Sequence, residues 1–259
     1  MTRRIRYLLF APSVLLLFAL FAWAMHDLVP FGHYRGPYGD VINRTVVYER
    51  HATDAITAVN FDFRGFDTLG EEAILFMSVV GVGLVLRKRD DEESKEDAKG
   101  GGDEHEERRA PDPSDAVRTI ALGLVGPMVV FGLYLVCTGQ LTPGGGFQGG
   151  VVLATCPLMV YLAGDLHTFK AITSHTLVEV AEAAGIAGFI ATGLLGMAAG
   201  ISFLQNVLPL GKTGDFFSAG TLMPLNICTG MAVAGGFVSL IYSFLEQTIE
   251  MRMQGDKQE

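Results

Sequence analysis

Residues that would define a common catalytic or metal site are scarce in this sequence. The three cysteines, Cys137, Cys156 and Cys228, are far apart, and each lies in an apolar run. Their spacing therefore indicates neither a disulfide framework nor a CxxC metal site. The six histidines show no HExxH or comparable ligand pattern. We therefore expect no metal site, no cofactor, no nucleic-acid partner and no enzyme activity of the chain alone.

Basic side chains are also absent from the middle of the long apolar runs. A proton-driven transporter that works alone usually keeps several buried acids and bases in a relay. This chain does not supply such a set. It is expected to be an accessory part of a larger membrane assembly.

Apolar sequence is abundant, with 49% hydrophobic residues and a mean hydropathy of +0.35. These values are too high for a soluble domain with one core. A bilayer is crossed by about 17 to 25 helical residues, and backbone groups inside it must be satisfied internally. The predicted fold is therefore an all-α integral membrane protein with about six transmembrane helices. We place them at residues 7–28, 70–86, 117–137, 149–164, 178–204 and 221–245, the second and fourth being short.

The spans form two modules separated by a charged segment. Residues 87–115 contain twelve acids and seven bases, a glycine triplet and two prolines, which is the composition of a disordered linker. An acidic docking tail for a partner is the alternative. We predict a two-helix hairpin at 1–86, a linker at 87–116 and a four-helix unit at 117–259.

Basic residues next to the spans predict the orientation. Arginines within 3–6 and the basic run 87–89 place the N-terminus and the linker in the cytoplasm. Alternation then places the C-terminus there too and leaves 138–150 and 205–220 outside. The first span also ends in an A-x-A pattern at 22–24, which a secretory signal would have. Its length favours a retained helix.

A glycine-rich stretch, TGQLTPGGGFQGG at 138–150, interrupts two apolar runs. It lacks the lysine and the preceding strand of a phosphate-binding loop. Glycine allows positive φ and Pro143 ends a helical path, so a tight turn between antiparallel helices is expected. The alternative is irregular backbone that lines a polar path, with Gln140, Thr142 and Gln148 as side-chain partners.

Four carboxylates lie within or beside the predicted spans, where charge is costly and often functional. Glu71 and Glu72 open the second span, where a solvated helix cap favoured by the dipole is the plainer interpretation. Glu179 and Glu182 lie one turn apart near the start of the fifth span. Glu182 is the deeper of the two and the better placed for a proton or cation path. We take Glu182, Glu179 and Glu71 as ion-path candidates.

The segment FDFRGFDTLG precedes the second span. Asp62, Arg64 and Asp67 are close enough in sequence to pair at the membrane surface and fix the angle of the chain. Asp67 is also a possible cap of the helix, with Thr68 as the alternative cap.

Two motifs carry a family resemblance. TGQLTPGGGFQGGVVLA, followed by three apolar spans, resembles the B-type subunit of the Mrp-type multisubunit Na+/H+ antiporters. The segment VNFDFRGFDTLGEEAILF is similar to the C-terminal tail of the A-type Mrp subunit, and to a small subunit of membrane-bound hydrogenases. Asp67 and Glu71 match the FDTLGE motif, which makes Asp67 a fourth ion-path candidate. The GGGFQ part and the preceding proline match at Pro143, Gly144, Gly145, Gly146, Phe147 and Gln148.

The resemblance implies a fusion of an A-tail hairpin with a B-type bundle. Its implied function is that of an accessory subunit of a complex-I-related cation/proton antiporter in the inner (cytoplasmic) cell membrane. It would help form the Na+ or H+ route, assemble with large and small antiporter subunits, and contact lipid. Two alternatives stay open: the ion-translocating module of a membrane-bound hydrogenase or similar redox-driven complex, and a purely structural scaffold.

Overall fold

The computed structural model describes residues 3–26, 28, 36–86, 113–164 and 166–255, and all regular structure in these ranges is helical. The chain divides into two compact units, Met1–Val41 and Ile42–Glu259. In chain order the helices are α1 (Arg3–His26), α2 (Pro37–Arg50), α3 (Ala55–Ala58), α4 (Gly65–Leu86), α5 (Asp115–Cys137), α6 (Gly146–Leu162), α7 (Leu166–Ile172), α8 (His175–Ala198) and α9 (Leu222–Gly255). A π-helical turn, Val59–Phe63, joins α3 to α4.

The predicted all-α membrane fold is confirmed, with changes at the ends of the spans. Four stretches in the described part of the chain are long and apolar enough to cross a membrane: Gly65–Leu86, Asp115–Cys137, Thr176–Ala198 and Leu222–Leu245. Phe10–His26 of α1 and Gly146–Leu162, which is α6, are shorter apolar helical stretches. The second predicted span is not short, because its helix begins at Gly65 rather than at residue 70.

The fifth predicted span was drawn too long. Helix α8 ends at Ala198, where the Ala199 N–H donates to the Leu195 carbonyl and the Gly200 N–H donates to the Met197 carbonyl, each at 3.0 Å. Gly200 follows with a φ of 79°, a left-handed conformation that glycine adopts without strain. Residues 199–204 therefore leave the helix although their apolar character continues.

The smaller unit contains α1, an apolar helix with Pro12 inside it. Most of the predicted acidic linker, residues 87–112, lies outside the described residues. Its end is described: Ser114 caps α5 by accepting a hydrogen bond from the Val117 N–H at 3.4 Å.

Helix α9 is the central element of the larger unit and packs against α4, α6 and α8, while α5 packs against α6. The positions at which helices meet give their directions. Gly146 meets Asn226 and Gly150 meets Gly230, so α6 runs parallel to α9. Helix α8 runs antiparallel to α9, since Gly185 meets Ala232 and Gly235 meets Glu182.

Three connections pack together at one end of the bundle, and we call residues 51–64, 138–145 and 199–221 the cap. The Thr53 and Asp54 N–H groups donate to the Gln140 carbonyl at 3.1 and 3.2 Å. The Gln140 side-chain amide donates to the Phe216 carbonyl at 2.9 Å. His51 Nδ1 lies 2.6 Å from the Gly211 carbonyl oxygen. The three connections thus share one end, and the side of the membrane that it faces stays a prediction.

An apolar core joins the cap to the helices. Phe61 of the π-helical turn and Phe189 of α8 are buried with ring centroids 6.1 Å apart. Ile42 and Val46, one turn apart on α2, belong to the same cluster, as do Leu222 and Leu225 at the start of α9. Burial of this amphipathic face holds residues 42–50 of α2 within the larger unit.

Candidate functional site

The glycine-rich motif forms a short turn and then the start of α6. Gly144 and Gly145 have φ values of 155° and 134°, which side chains with a Cβ rarely adopt. Pro143 is exposed in the turn. Helix α6 begins at Gly146, so Phe147 and Gln148 are helical rather than part of the turn. The turn is therefore 138–145, shorter than the expected 138–150.

The helical glycines of the motif let three helices approach closely. A Cβ at Gly146 would lie 2.8 Å from Thr229 Cβ and closer still to the Asn226 carbonyl oxygen. At Gly150 it would lie 2.8 Å from the Gly230 carbonyl oxygen of α9, and at Gly149 it would meet α5. Small residues four apart are a common device for close contact between membrane helices. Here they bring α6 onto α9.

Asn226 fixes this contact with hydrogen bonds. Its side chain is fully buried, and Oδ1 accepts from the Gly146 N–H at 2.8 Å. Its Nδ2 donates to the Leu222 carbonyl at 3.1 Å. Both groups of this buried amide are therefore satisfied, and the first free N–H of α6 gains a partner.

Two carboxylates are buried in the bundle without hydrogen-bond partners. Glu72 of α4 is 2% exposed and Glu182 of α8 is 6% exposed. Both Glu72 oxygens and Glu182 Oε1 lack a hydrogen-bond partner among the described residues. The two acids are close enough to interact electrostatically. The Thr229 hydroxyl also interacts with Glu72, although its geometry falls short of a hydrogen bond.

Glu182 extends over a glycine pair on α9. A Cβ at Gly235 would lie 2.8 Å from the Glu182 N–H nitrogen, so the backbones of α8 and α9 nearly touch. A Cβ at Gly236 would lie 3.3 Å from Glu182 Oε1 and 3.5 Å from side-chain atoms of Leu75 and Val79. The Glu182 carboxyl group therefore lies between α9 and α4.

The remaining predicted carboxylates are exposed on the isolated chain. Glu71 and Glu179 are exposed on α4 and α8, next to the buried pair. Asp67 forms an exposed ion pair with Arg64. Neither Asp67 nor Thr68 caps α4, because the helix begins at Gly65. Thr68 instead donates its hydroxyl to the Asn60 carbonyl at 2.6 Å.

Asp62 pairs with a different arginine from the one expected. Its carboxylate contacts Arg50 of α2, and its side chain is 7% exposed. The Arg50 guanidinium also lies 5.2 Å from the Phe63 ring centroid. Burial raises the pKa of Asp62 above its ordinary value, and the nearby guanidinium partly opposes this.

Glu72 is the residue that sequence reasoning misplaced. A helix starting at residue 70 puts Glu72 in a solvated first turn, and that expectation is wrong. With the start at Gly65, Thr68, Glu72, Leu75 and Val79 form one face of α4, and their exposure is low or intermediate. The i, i+4, i+7, i+11 spacing of that face was the available signal.

Among the described residues, no group of three or more His, Cys, Asp or Glu side chains is arranged to hold a metal ion. Four buried polar side chains lie in the bundle near the start of α6: Glu72, Glu182, Thr229 and Asn226. We call these four residues the polar centre.

Comparisons with known proteins find a family match in the C-terminal half of the chain. Residues 116–239 match the family described as a domain related to the MnhB subunit of Na+/H+ antiporter. The chain is 33% identical over 107 residues to the Na+/H+ antiporter B subunit of Bacillus subtilis, covering 39% of this chain and 74% of that protein. It is 30% identical over 201 residues to an uncharacterised protein of Methanocaldococcus jannaschii, covering 70% and 72% respectively.

Solved structures extend the likeness to the N-terminal part. A chain of the membrane-bound sulfane sulfur reductase, an archaeal respiratory membrane complex, has a TM-score of 0.70 and 30% identity, covering 93% of this chain and 98% of that one. A chain of the Mrp complex from Dietzia sp. shares the fold, with a TM-score of 0.69 and 24% identity over 94% of this chain and 26% of that one. The fold and these matches define a multi-pass subunit type found in multisubunit membrane complexes. The chain belongs to the MnhB family, which is the family of the B-type Na+/H+ antiporter subunits.

Proposed function

We propose that the chain is a membrane subunit of a complex-I-related cation/proton antiporter complex and supplies part of its Na+ or H+ route. One observation carries this proposal: Glu72 and Glu182 are buried in a membrane bundle without hydrogen-bond partners among the described residues. An isolated buried carboxylate is costly unless it binds a proton or a cation. Binding and releasing positive charge is therefore the chemistry that this arrangement favours.

The two acids occupy different depths along α9. Glu72 interacts with Thr229, whereas Glu182 lies beside Gly236, seven residues further along the helix. At 1.5 Å per residue this separation is about 10 Å along the axis. This distance is about a third of a hydrocarbon core of about 30 Å. The pair thus suits a relay better than a single binding site.

The exposed acids extend the same line. Asp67 and Glu71 precede Glu72 on α4 towards the cap, and Glu179 lies one turn beyond Glu182 towards the opposite end. In the assembled complex, partner subunits would cover these side chains, because a carboxylate facing lipid is costly. We propose that they continue the route between subunits.

We also propose that residues 1–86 are the counterpart of the tail of the A-type Mrp subunit, fused to a B-type bundle. The likeness to both solved chains extends over more than nine-tenths of this chain, well outside the MnhB match. Helix α4, which carries Glu72, packs against α9 of the bundle. The polar centre is then shared between the two parts of the fusion.

The test is cation/proton exchange by the whole complex in everted membrane vesicles. Glu72→Gln and Glu182→Gln keep the side-chain volume and remove the charge. Each is expected to lower exchange at least about tenfold, or ~1.4 kcal/mol of barrier, with normal assembly. Glu49→Gln, at an exposed acid on α2, is the matched control and should be neutral. Unchanged exchange in both variants would leave only the structural scaffold.

A second context has its own support. The respiratory complex chain matches at 30% identity over nearly its full length, so the same ion route would serve a redox-driven complex. Purification of the native complex through a tag on this chain separates the two contexts. Co-purified redox subunits with visible absorbance support the redox-driven complex, and an assembly of membrane subunits alone supports the antiporter.

A further inference from the structure

Buried polar groups continue from the polar centre to the cap. Asp54 is 8% exposed in the cap and accepts a hydrogen bond from the Thr57 hydroxyl at 2.9 Å. Thr57 Oγ1 lies 3.8 Å from the position of a Cβ at Gly145. The same Cβ position lies 3.3 Å from Asn226 Oδ1. Polar atoms thus line the path from the cap surface to Asn226.

The path continues from Asn226 to Glu72. Thr229 lies one turn beyond Asn226 on α9, and both residues border Gly146. Thr229 is 1% exposed, and its hydroxyl interacts with Glu72. We call the line Asp54, Thr57, Asn226, Thr229 and Glu72 the polar seam.

Several buried polar atoms along the seam have no hydrogen-bond partner among the described residues. In the described part of the chain, the Thr229 hydroxyl and both Glu72 oxygens lack hydrogen-bond partners, as does Gln140 Oε1 beside the seam. Buried polar atoms in proteins are nearly always hydrogen-bonded, to protein or to ordered water. Glycines at 139, 145 and 146 border the seam with backbone alone, and a Cβ at each would lie within 3.3 Å of an Asn226 atom.

We propose that the polar seam is a water-accessible path from the cap to Glu72, with the Thr229 hydroxyl as the last polar group before Glu72. This inference rests on the proposed ion route. It adds that the ion enters from the cap and that Glu72 is the first acid of the buried pair that it reaches. Water along the seam would hydrate a proton or a small monovalent cation up to Glu72. Glu182 of α8, which lies beside α9 about 10 Å further from the cap, would then receive the proton or cation from Glu72.

Cysteine accessibility tests the path. The full complex carries Thr229→Cys or Leu225→Cys, with the three native cysteines replaced by alanine, and is treated with the ethylammonium methanethiosulfonate reagent. Leu225 is the matched control because it is fully buried on the same helix, one turn nearer the cap, and belongs to the apolar cluster. Thiols react as thiolates, which need water. The cysteine at 229 is expected to react at least tenfold faster than the one at 225, and equal or slower reaction would overturn the path.

A second measurement needs no substitution in the seam. The unsubstituted complex is treated with a water-soluble carbodiimide and glycine ethyl ester, and modified carboxylates are located by mass spectrometry. Modification at Glu72 as well as at exposed Glu49 of α2 is the expected result, and modification of Glu49 without Glu72 overturns the path. Neither readout depends on transport, so the path can fail while Glu72→Gln still abolishes exchange. The reverse outcome would refute the ion route and leave the path standing.

Discussion

Gly146→Ala is the most direct test of how the glycine motif builds the site. The added Cβ would lie 2.8 Å from Thr229 Cβ and 3.0 Å from the Gly230 nitrogen, whereas ordinary contact begins at 3.4 Å. Helices α6 and α9 would therefore have to separate by more than about 0.6 Å, because the added Cβ would lie closer still to the Asn226 carbonyl oxygen. That shift also weakens the hydrogen bond from the Gly146 N–H to Asn226.

The expected cost follows from these contacts. Overpacking costs about 1–3 kcal/mol and loss of the hydrogen bond about 0.5–1.5 kcal/mol. The better helix propensity of alanine offsets up to about 1 kcal/mol. A net loss of about 2 kcal/mol lowers the melting temperature by about 4–8 °C for a chain of this size.

The assay is size-exclusion chromatography of the heated, detergent-solubilised chain, which gives an apparent melting temperature. Gly123→Ala on α5 is the control, because no described atom lies within 4 Å of its added Cβ. That control should match the parent or exceed it slightly. Equal melting temperatures for Gly146→Ala and Gly123→Ala would refute the close approach of α6 and α9.

Three further predictions follow from the geometry. Gly236→Ala adds a Cβ 3.3 Å from Glu182 Oε1, which a flexible side chain can accommodate, so stability should change by less than about 1 kcal/mol while exchange falls several-fold; unchanged exchange contradicts this. Phe189→Ala empties a 1% exposed site and should cost about 3–5 kcal/mol in chemical unfolding, against little for exposed Phe131→Ala; similar losses would show that Phe189 is not core. Because folding raises the pKa of Asp62, its contribution is greatest below the ordinary aspartate pKa and declines as pH rises through the folded value. The melting temperature of Asp62→Asn relative to the parent should therefore be higher at pH 7 than at pH 4, and a constant difference would contradict the burial.

Helix existence was predictable from the sequence because apolar runs of membrane length leave the backbone few alternatives. Helix ends were not, because they do not coincide with the ends of the apolar runs. Residues 199–204 are apolar, yet Gly200 turns the chain out of α8. Helix α4 begins at Gly65, five residues before the predicted start. Glu72 therefore lies buried in the bundle rather than in a solvated first turn.

The pairing of distant segments also lay beyond the sequence. The motif at 138–150 identified the family, but its chemistry depends on Asn226 and Thr229, about eighty positions away on α9. Likewise Arg50 rather than Arg64 neutralises Asp62, because α2 folds back against the π-helical turn. Local sequence cannot show which helices the glycines bring together.

Glu72 and Glu182 are proposed to be two steps of one ion route. Exchange by the assembled complex is measured for Glu72→Gln, Glu182→Gln and the double variant, with assembly checked on native gels. If the two acids act in series, the double variant should lose no more activity than the worse single variant. Losses that multiply, or exchange unchanged by either substitution, would show that the two acids do not act in series on one route.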